Sequence, residues 1–216
     1  MGAAADETAN GTGGATAASA EAAIETYRVL LRRYHRTLDL MSDRGLEALE
    51  AMLDDARAYA GAVATWVDPG CVVDVGTGAG LPGVVVAAYH PGRPVVWVER
   101  RQRRATFLGM VAAACGFGHV DVIDGDVRTL ARSALSGPVV AVTAQAVAGW
   151  TDLYGWTRHL HGERVVLVAR RGAAWVEEVA ALAQAIGEDP QVLASEPLGR
   201  GGTLVVLSVP GGRPCR

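Results

Sequence analysis

Cys71-Val-Val-Asp-Val-Gly-Thr-Gly-Ala-Gly-Leu-Pro-Gly83 is the stretch on which the fold of this chain turns. Its first five residues are apolar and mostly β-branched except for Asp74, the composition of a short buried strand. Gly76, Gly78 and Gly80 lack a Cβ, so the backbone there can turn tightly and admit a ligand closely. Residues 84–89 then read as helix. Strand, glycine-rich turn and helix make a βα unit, and in an open α/β sheet ligands sit beyond the carboxyl ends of the strands.

The alternation continues downstream. The pattern predicts strands at 94–98, 120–123, 139–142 and 164–169, with helices at 101–115, 147–160 and 173–186. Residues 191–195 and 203–209, parted by Gly199-Arg-Gly-Gly202, read as an antiparallel hairpin. Five βα units followed by a hairpin predict an α/β fold: the seven-stranded, Rossmann-like (class I) sheet of S-adenosylmethionine (SAM)-dependent methyltransferases, with helices on both faces. Upstream, residues 20–41 carry an apolar stripe of Ile24, Tyr27, Leu30, Leu31, Tyr34 and Leu38, and Ser42 and Asp43 suit a helix start. A second helix is predicted over 46–66, ended by Asp68-Pro69-Gly70. The chain is thus expected to divide into a disordered tail at 1–20, a helical extension at 21–68 and a SAM-binding methyltransferase domain at 69–216.

Composition bounds the rest. A chain of 216 residues, half of them hydrophobic and 20% charged, is long enough for one well-buried domain. A net charge of -3 argues against a surface that grips nucleic acid everywhere, while leaving room for a local basic patch. Cys71, Cys115 and Cys215 lack the spacing of a zinc site or a disulfide framework, so reduced thiols and no metal are expected. No run approaches the roughly 20 apolar residues of a membrane span, and the Gly/Ala-rich start does not read as a signal peptide, so a cytoplasmic protein away from membranes is expected.

The spacing of the glycines bears on the cofactor. Dinucleotide folds favour G-x-G-x-x-G, whereas this turn reads D-x-G-x-G-x-G, the pattern of SAM sites. Asp74, just before the turn, could organise the loop or help hold a methionine ammonium, directly or through water. Glu99, at the end of the second strand, is placed to accept hydrogen bonds from both ribose hydroxyls. Asp126, after the third strand, could accept from an adenine amine, cap a helix, or do both. Thr77 and Ala79 in the turn, Arg100 beside Glu99, Val127 beside Asp126 and Thr143 after the fourth strand complete the expected cofactor set.

Gly76-Thr-Gly-Ala-Gly-Leu-Pro-Gly83, with Arg103-Arg-Ala-Thr-Phe-Leu108 and a helix leading to Gly116, resembles the bacterial GidB family of 16S ribosomal RNA guanine-N7 methyltransferases. The resemblance runs from about Ala20 onward, through Tyr34-His-Arg-Thr-Leu-Asp-Leu40, Val142-Thr-Ala-Gln-Ala-Val-Ala148 and Ala169-Arg-Arg-Gly172. It implies SAM as cofactor and ribosomal RNA or the small ribosomal subunit as partner. Departures gather at the acceptor side. Gln145 stands where the family has Arg, Ala144 where it has Ser, Arg171 where it has Lys, and Asp126 where an acid is unusual. Gln145 and Arg171 are the residues expected to position the acceptor. Arg28, Arg32 and Arg36 on one helix face, and Arg100, Arg101, Arg103 and Arg104 after the second strand, are candidate phosphate contacts. Two alternatives stay open. One is a small-molecule acceptor held in a closed apolar pocket near Trp150, Tyr154 or Trp156; the other is a SAM-binding protein with no RNA substrate.

Overall fold

The computed structural model describes residues 11–211, with side chains from Ala17 onward. Seven strands form one sheet: β1 Cys71–Val75, β2 Val95–Glu99, β3 Val120–Asp124, β4 Val139–Ala144, β5 His161–Arg171, β6 Gln191–Pro197 and β7 Thr203–Pro210. Their spatial order is β3-β2-β1-β4-β5-β7-β6. Strands β1 to β5 pair in parallel, while β7 runs antiparallel to both β5 and β6. All five residues of β1 and of β2 are buried, as expected where helices cover both faces of a parallel sheet. The chain reverses direction across the sheet between β1 and β4, and this switch point opens a crevice at the strands' carboxyl ends.

Among the described residues seven α-helices accompany the sheet: α1 Gly11–Tyr34, α2 Asp43–Glu47, α3 Leu49–Trp66, α4 Gly83–Tyr89, α5 Gln102–Ala114, α6 Trp150–Thr157 and α7 Trp175–Ile186. On one face Ile24, Tyr27 and Leu31 of α1 and Leu49 and Leu53 of α3 share a core with Val84 of α4, Trp97 of β2 and Phe107 of α5. Further along that face, Tyr59, Ala62 and Val63 of α3 meet Val166, Val168, Leu204 and Val206 of β5 and β7. Helices α6 and α7 cover the opposite face through Trp150, Leu153 and Leu182. Helix α4 has only seven residues, so α1 and α3 supply much of the apolar cover on their face.

The N-terminal elements differ from expectation in three places. Residues 11–20 are helical, not a tail, and Ala20 is buried; the Ala-rich run favours extending a helix already nucleated against the core. The part of the expected tail at 1–10 lies outside the described residues. Helix α1 stops at Tyr34 instead of 41, because Asp39 takes a left-handed conformation (φ 50°) and the Leu40 amide bonds back to His35 O at 2.9 Å. The helix expected over 46–66 is two, α2 and α3, parted at Ala48; Ser42 caps α2 by accepting from the Gly45 amide at 3.1 Å. Downstream, the helix expected over 147–160 is confined to α6 and a 3-10 turn, Arg158–Leu160, which leaves residues 145–149 as a loop.

Candidate active site

Strand β1 delivers the glycine-rich turn to the crevice. The Gly76 amide bonds to Val98 O of β2 at 2.8 Å, and the Gly80 amide to Thr77 O at 2.8 Å. Gly76 and Gly78 have φ of 66° and 61°, a region costly for residues with a Cβ. A Cβ on Gly76 would stand 2.9 Å from Val147 Cγ2, so this glycine lets the loop after β4 close onto the turn.

The carboxylates around the turn divide the labour. Asp74 is buried behind it, where its Oδ1 accepts from Thr143 Oγ1 at 2.6 Å. Thr77 Oγ1 donates to Asp74 O at 3.0 Å, so strand, turn and β4 are laced together. Burial pushes the Asp74 carboxyl up to about 7 against the opposing pull of the Thr143 and Thr77 hydroxyls, and its Oδ2 has no hydrogen-bond partner among the described residues. Glu99 ends β2 with both oxygens engaged: Oε2 accepts from the Gly78 amide at 2.9 Å and Oε1 from the Arg101 amide at 2.8 Å. It thereby fixes the crest of the turn and the start of α5 around one buried carboxylate. Asp126 caps the 3-10 turn Val127–Thr129 through the Arg128 amide at 3.0 Å. The Arg128 guanidinium holds its carboxyl down at about 2.

These elements enclose a cavity of about 300 Å³, at the lower end of small-molecule sites. Val75, Gly76, Val98 and Glu99 form its sheet side, and Gly125, Asp126, Val127 and Arg128 a second wall. Ala146, Val147 and Trp156 close a third side, and Arg100, Arg101 and Arg104 stand on the remaining one. Trp156 carries the Arg128 guanidinium 5.8 Å from its ring centroid. An apolar strip beside a fixed carboxylate, where the turn presents only Gly76, fits a nucleoside carrying a short charged tail. Among the described residues no group of three or more His, Cys, Asp or Glu could hold a metal ion, and no helix is long and apolar enough to cross a membrane.

Of the expected cofactor residues, Gly76, Glu99, Arg100, Asp126 and Val127 meet at this cavity. Asp74, Thr77 and Thr143 instead form the buried lacing behind the turn. Gly78 is tied to Glu99 by its amide, and the Ala79 carbonyl accepts from Tyr27 Oη of α1 at 3.0 Å. Gly80 packs beside the same tyrosine, 3.0 Å separating a Cβ placed there from Tyr27 Cε2. The two residues expected to position an acceptor do not line the cavity. Gln145 is half-buried in the loop after β4. The Arg171 guanidinium lies 4.1 Å from the Trp150 ring centroid, donates to Ala148 O, and has Glu178 Oε2 3.8 Å from its Nε. Its side chain is 10% exposed, so this arginine braces the loop from below instead of presenting itself to a substrate.

Sequence reasoning missed Arg128, Ala146 and Val147 as cavity walls, and assigned Arg101 and Arg104 only to a basic cluster. Arg128 follows the capping Asp126 by two residues, a spacing that could have suggested the ion pair. Ala146, with φ 54°, left no trace in the pattern.

The strand order with β7 inserted antiparallel beside β5, and a cavity at the carboxyl edge beside the switch point, define a class I SAM-dependent methyltransferase. A solved SAM-dependent methyltransferase from Aquifex aeolicus shares the fold at TM-score 0.53 and 15% identity, covering 73% of this chain and 91% of that one. Residues 20–195 match the GidB family, described as rRNA small subunit methyltransferase G, and the chain belongs to that family. It is 32% identical over 165 residues to the ribosomal RNA small subunit methyltransferase G of Halorhodospira halophila, covering 76% of each chain. It is 42% identical over 115 residues to the protein of the same name from Beutenbergia cavernae, covering 52% of each. The chain therefore spans about half to three quarters of these relatives, and its cofactor is SAM.

Proposed function

We propose that this methyltransferase acts on small-subunit ribosomal RNA, with guanine N7 as the accepting atom and the cytoplasm as its place of action. The rim of the cavity carries this reading. Arg100, Arg101, Arg103 and Arg104 cluster at the start of α5, and among the described residues none forms an ion pair with a carboxylate. In the other basic group two of three are paired, Arg28 with Glu25 and Glu50 and Arg36 with Asp43, while Arg32 meets no carboxylate among the described residues. In a chain of net charge -3, unneutralised arginines beside the cavity mouth favour a polyanionic substrate. A closed apolar pocket, the mark of a small-molecule acceptor, is disfavoured by the arginines in the wall and by the complete burial of Trp150.

Bound SAM supplies an electrophilic methyl group on a sulfonium. In the proposed arrangement Glu99 accepts from the ribose hydroxyls, and Asp126 and Val127 border the adenine, with the Trp156 ring closing that side. The turn from Gly76 to Gly80 leaves room for the methionine moiety, while Asp74 acts through Thr143 and Thr77 to hold the turn's shape. Guanine N7 offers a free lone pair, so the protein's work is alignment and exclusion of water, with no side chain required as a base. Gln145 and the loop that carries it are the acceptor-facing elements, and the α5 arginines hold phosphates.

The test is labelled SAM offered to small ribosomal subunits, free ribosomal RNA and a metabolite extract, with the labelled nucleoside identified after digestion. Label in 7-methylguanosine supports the reading; label confined to small molecules overturns it.

A further inference from the structure

The loop at residues 145–149 lines the cavity through Ala146 and Val147, and both of its ends are tied. At the far end Arg171 bonds to Ala148 O and stacks on Trp150. At the near end stands Tyr59 of α3, fully buried, whose hydroxyl donates to Ala144 O at 3.1 Å and accepts from the Arg170 amide at 2.7 Å.

This hydroxyl occupies a particular place in the sheet. Strands β4 and β5 pair in parallel up to Ala144 opposite Ala169. In such a ladder the next rung would run from the Arg170 amide to Ala144 O. Here the tyrosine oxygen is inserted into that rung, receiving from one strand and donating to the other. Both backbone groups are thereby satisfied by one side-chain oxygen at the point where the paired strands end. The loop leaves β4 at this point, with Gln145 as its first residue.

We propose that Tyr59 is a positioning residue for the methyl acceptor: its hydroxyl, inserted between the ends of β4 and β5, sets where Gln145 and the cavity-lining turn Ala146–Val147 stand. The proposal rests on the reading that the acceptor binds beside this loop. Without the hydroxyl, the amide and carbonyl are left unpaired or close on each other directly, and either outcome moves the loop root. Glu99, Gly78 and Asp126 form no hydrogen bond with Tyr59, so their hold on the cofactor persists, and the part of the cavity that shifts is its Ala146–Val147 wall.

Tyr59→Phe retains the ring packing and removes only the oxygen. Three measurements are made on the full chain: SAM affinity by calorimetry, methylation of small ribosomal subunits with kcat and KM resolved, and amide hydrogen exchange. Expected are a loss of SAM affinity of at most about fivefold, kcat/KM for the subunits lower by roughly 10- to 100-fold, and faster exchange across residues 145–149 and at Arg170. Unchanged exchange in that segment overturns the proposal, as does a loss of SAM affinity equal to the loss in kcat/KM. If wild type methylates no ribosomal subunit, the RNA reading fails by itself, and exchange together with SAM affinity decides the role of Tyr59. Wild type supplies a check that needs no variant: the Arg170 amide should exchange as slowly as its neighbours in β5, and rapid exchange there refutes the inserted rung.

Discussion

Replacing Glu99 by glutamine tests the cofactor site most directly. The carboxylate has two oxygens and two backbone donors to satisfy, the Gly78 amide at 2.9 Å and the Arg101 amide at 2.8 Å. Glutamine offers one oxygen and one NH2 group, so one backbone N–H must confront another donor. Losing a hydrogen bond to a charged acceptor costs about 1.5–3 kcal/mol, and stranding a buried donor is of the same order. On the proposed reading, two ribose hydroxyls also lose their charged acceptor when SAM binds. The combined effect on SAM should be about 2–4 kcal/mol, a rise in Kd of roughly 30- to 1000-fold. Calorimetry on the wild type and Glu99→Gln, with circular dichroism to verify the fold, measures this. A folded variant that binds SAM within about twofold of wild type would refute both the ribose role and the claim that Glu99 sets the crest of the turn.

Three further outcomes are expected. Gly78→Ala puts a Cβ at φ 61° within 3.8 Å of the Arg104 guanidinium, in ordinary contact; it should cost only about 1–2 kcal/mol of stability but at least about tenfold in SAM affinity, as read by thermal melting and calorimetry. Gly83→Ala puts its Cβ 2.7 Å from both Asp74 Oδ2 and Trp97 Nε1, two buried groups. Overpacking of about 1–3 kcal/mol there outweighs at most about 1 kcal/mol of gained helix propensity, so Tm should fall by several degrees; an unchanged Tm counts against the tight packing of α4 on β1. Asp74 titrates at about 7 in the folded chain, against about 3.9 for an unfolded aspartate. The folded state therefore binds the proton more tightly, and this stabilisation is fully present below about pH 4 and lost as the pH rises to about 7. Asp74→Asn should flatten that part of the Tm–pH curve relative to wild type, and parallel curves would show that the carboxyl ionises as freely folded as unfolded.

The features legible in the sequence are those set by neighbours along the chain. The β-branched runs at β1, β2 and β4 announce themselves, as do the glycines of the turn and the acid that closes β2. Spacing placed Glu99 at the end of β2, and its two backbone partners, Gly78 and Arg101, lie in or beside the same βα unit. Arg171 shows the opposite case. Local pattern placed it after β5 at the acceptor end, but its direction is decided by the Trp150 ring and by Ala148 O, 23 residues earlier. Thr143 is held by Asp74 across 69 residues, which turns an expected cofactor contact into internal lacing. Tyr59 falls inside the helix predicted over 46–66 with nothing near it in sequence to reveal the two strand ends that its oxygen joins. The break at Ala48 and the end of α1 at Tyr34 were hidden for a related reason: tertiary contacts on α3 and the left-handed Asp39 override an apolar stripe that would otherwise continue.

The tyrosine of α1 beneath the glycine-rich turn also bears on the order in which the molecule is made. Tyr27 meets Ala79 across 52 residues, and Tyr59 meets Ala144 and Arg170 across 85 and 111. During synthesis α1 and α3 emerge before any strand they cover, with their apolar faces unmatched until the partners follow. Contacts of such sequence separation close slowly, since loop entropy is lost before they form. Nascent chains arrested before β5 should accordingly lack the second anchor of Tyr59, leaving the acceptor loop among the last parts of the protein to acquire its shape.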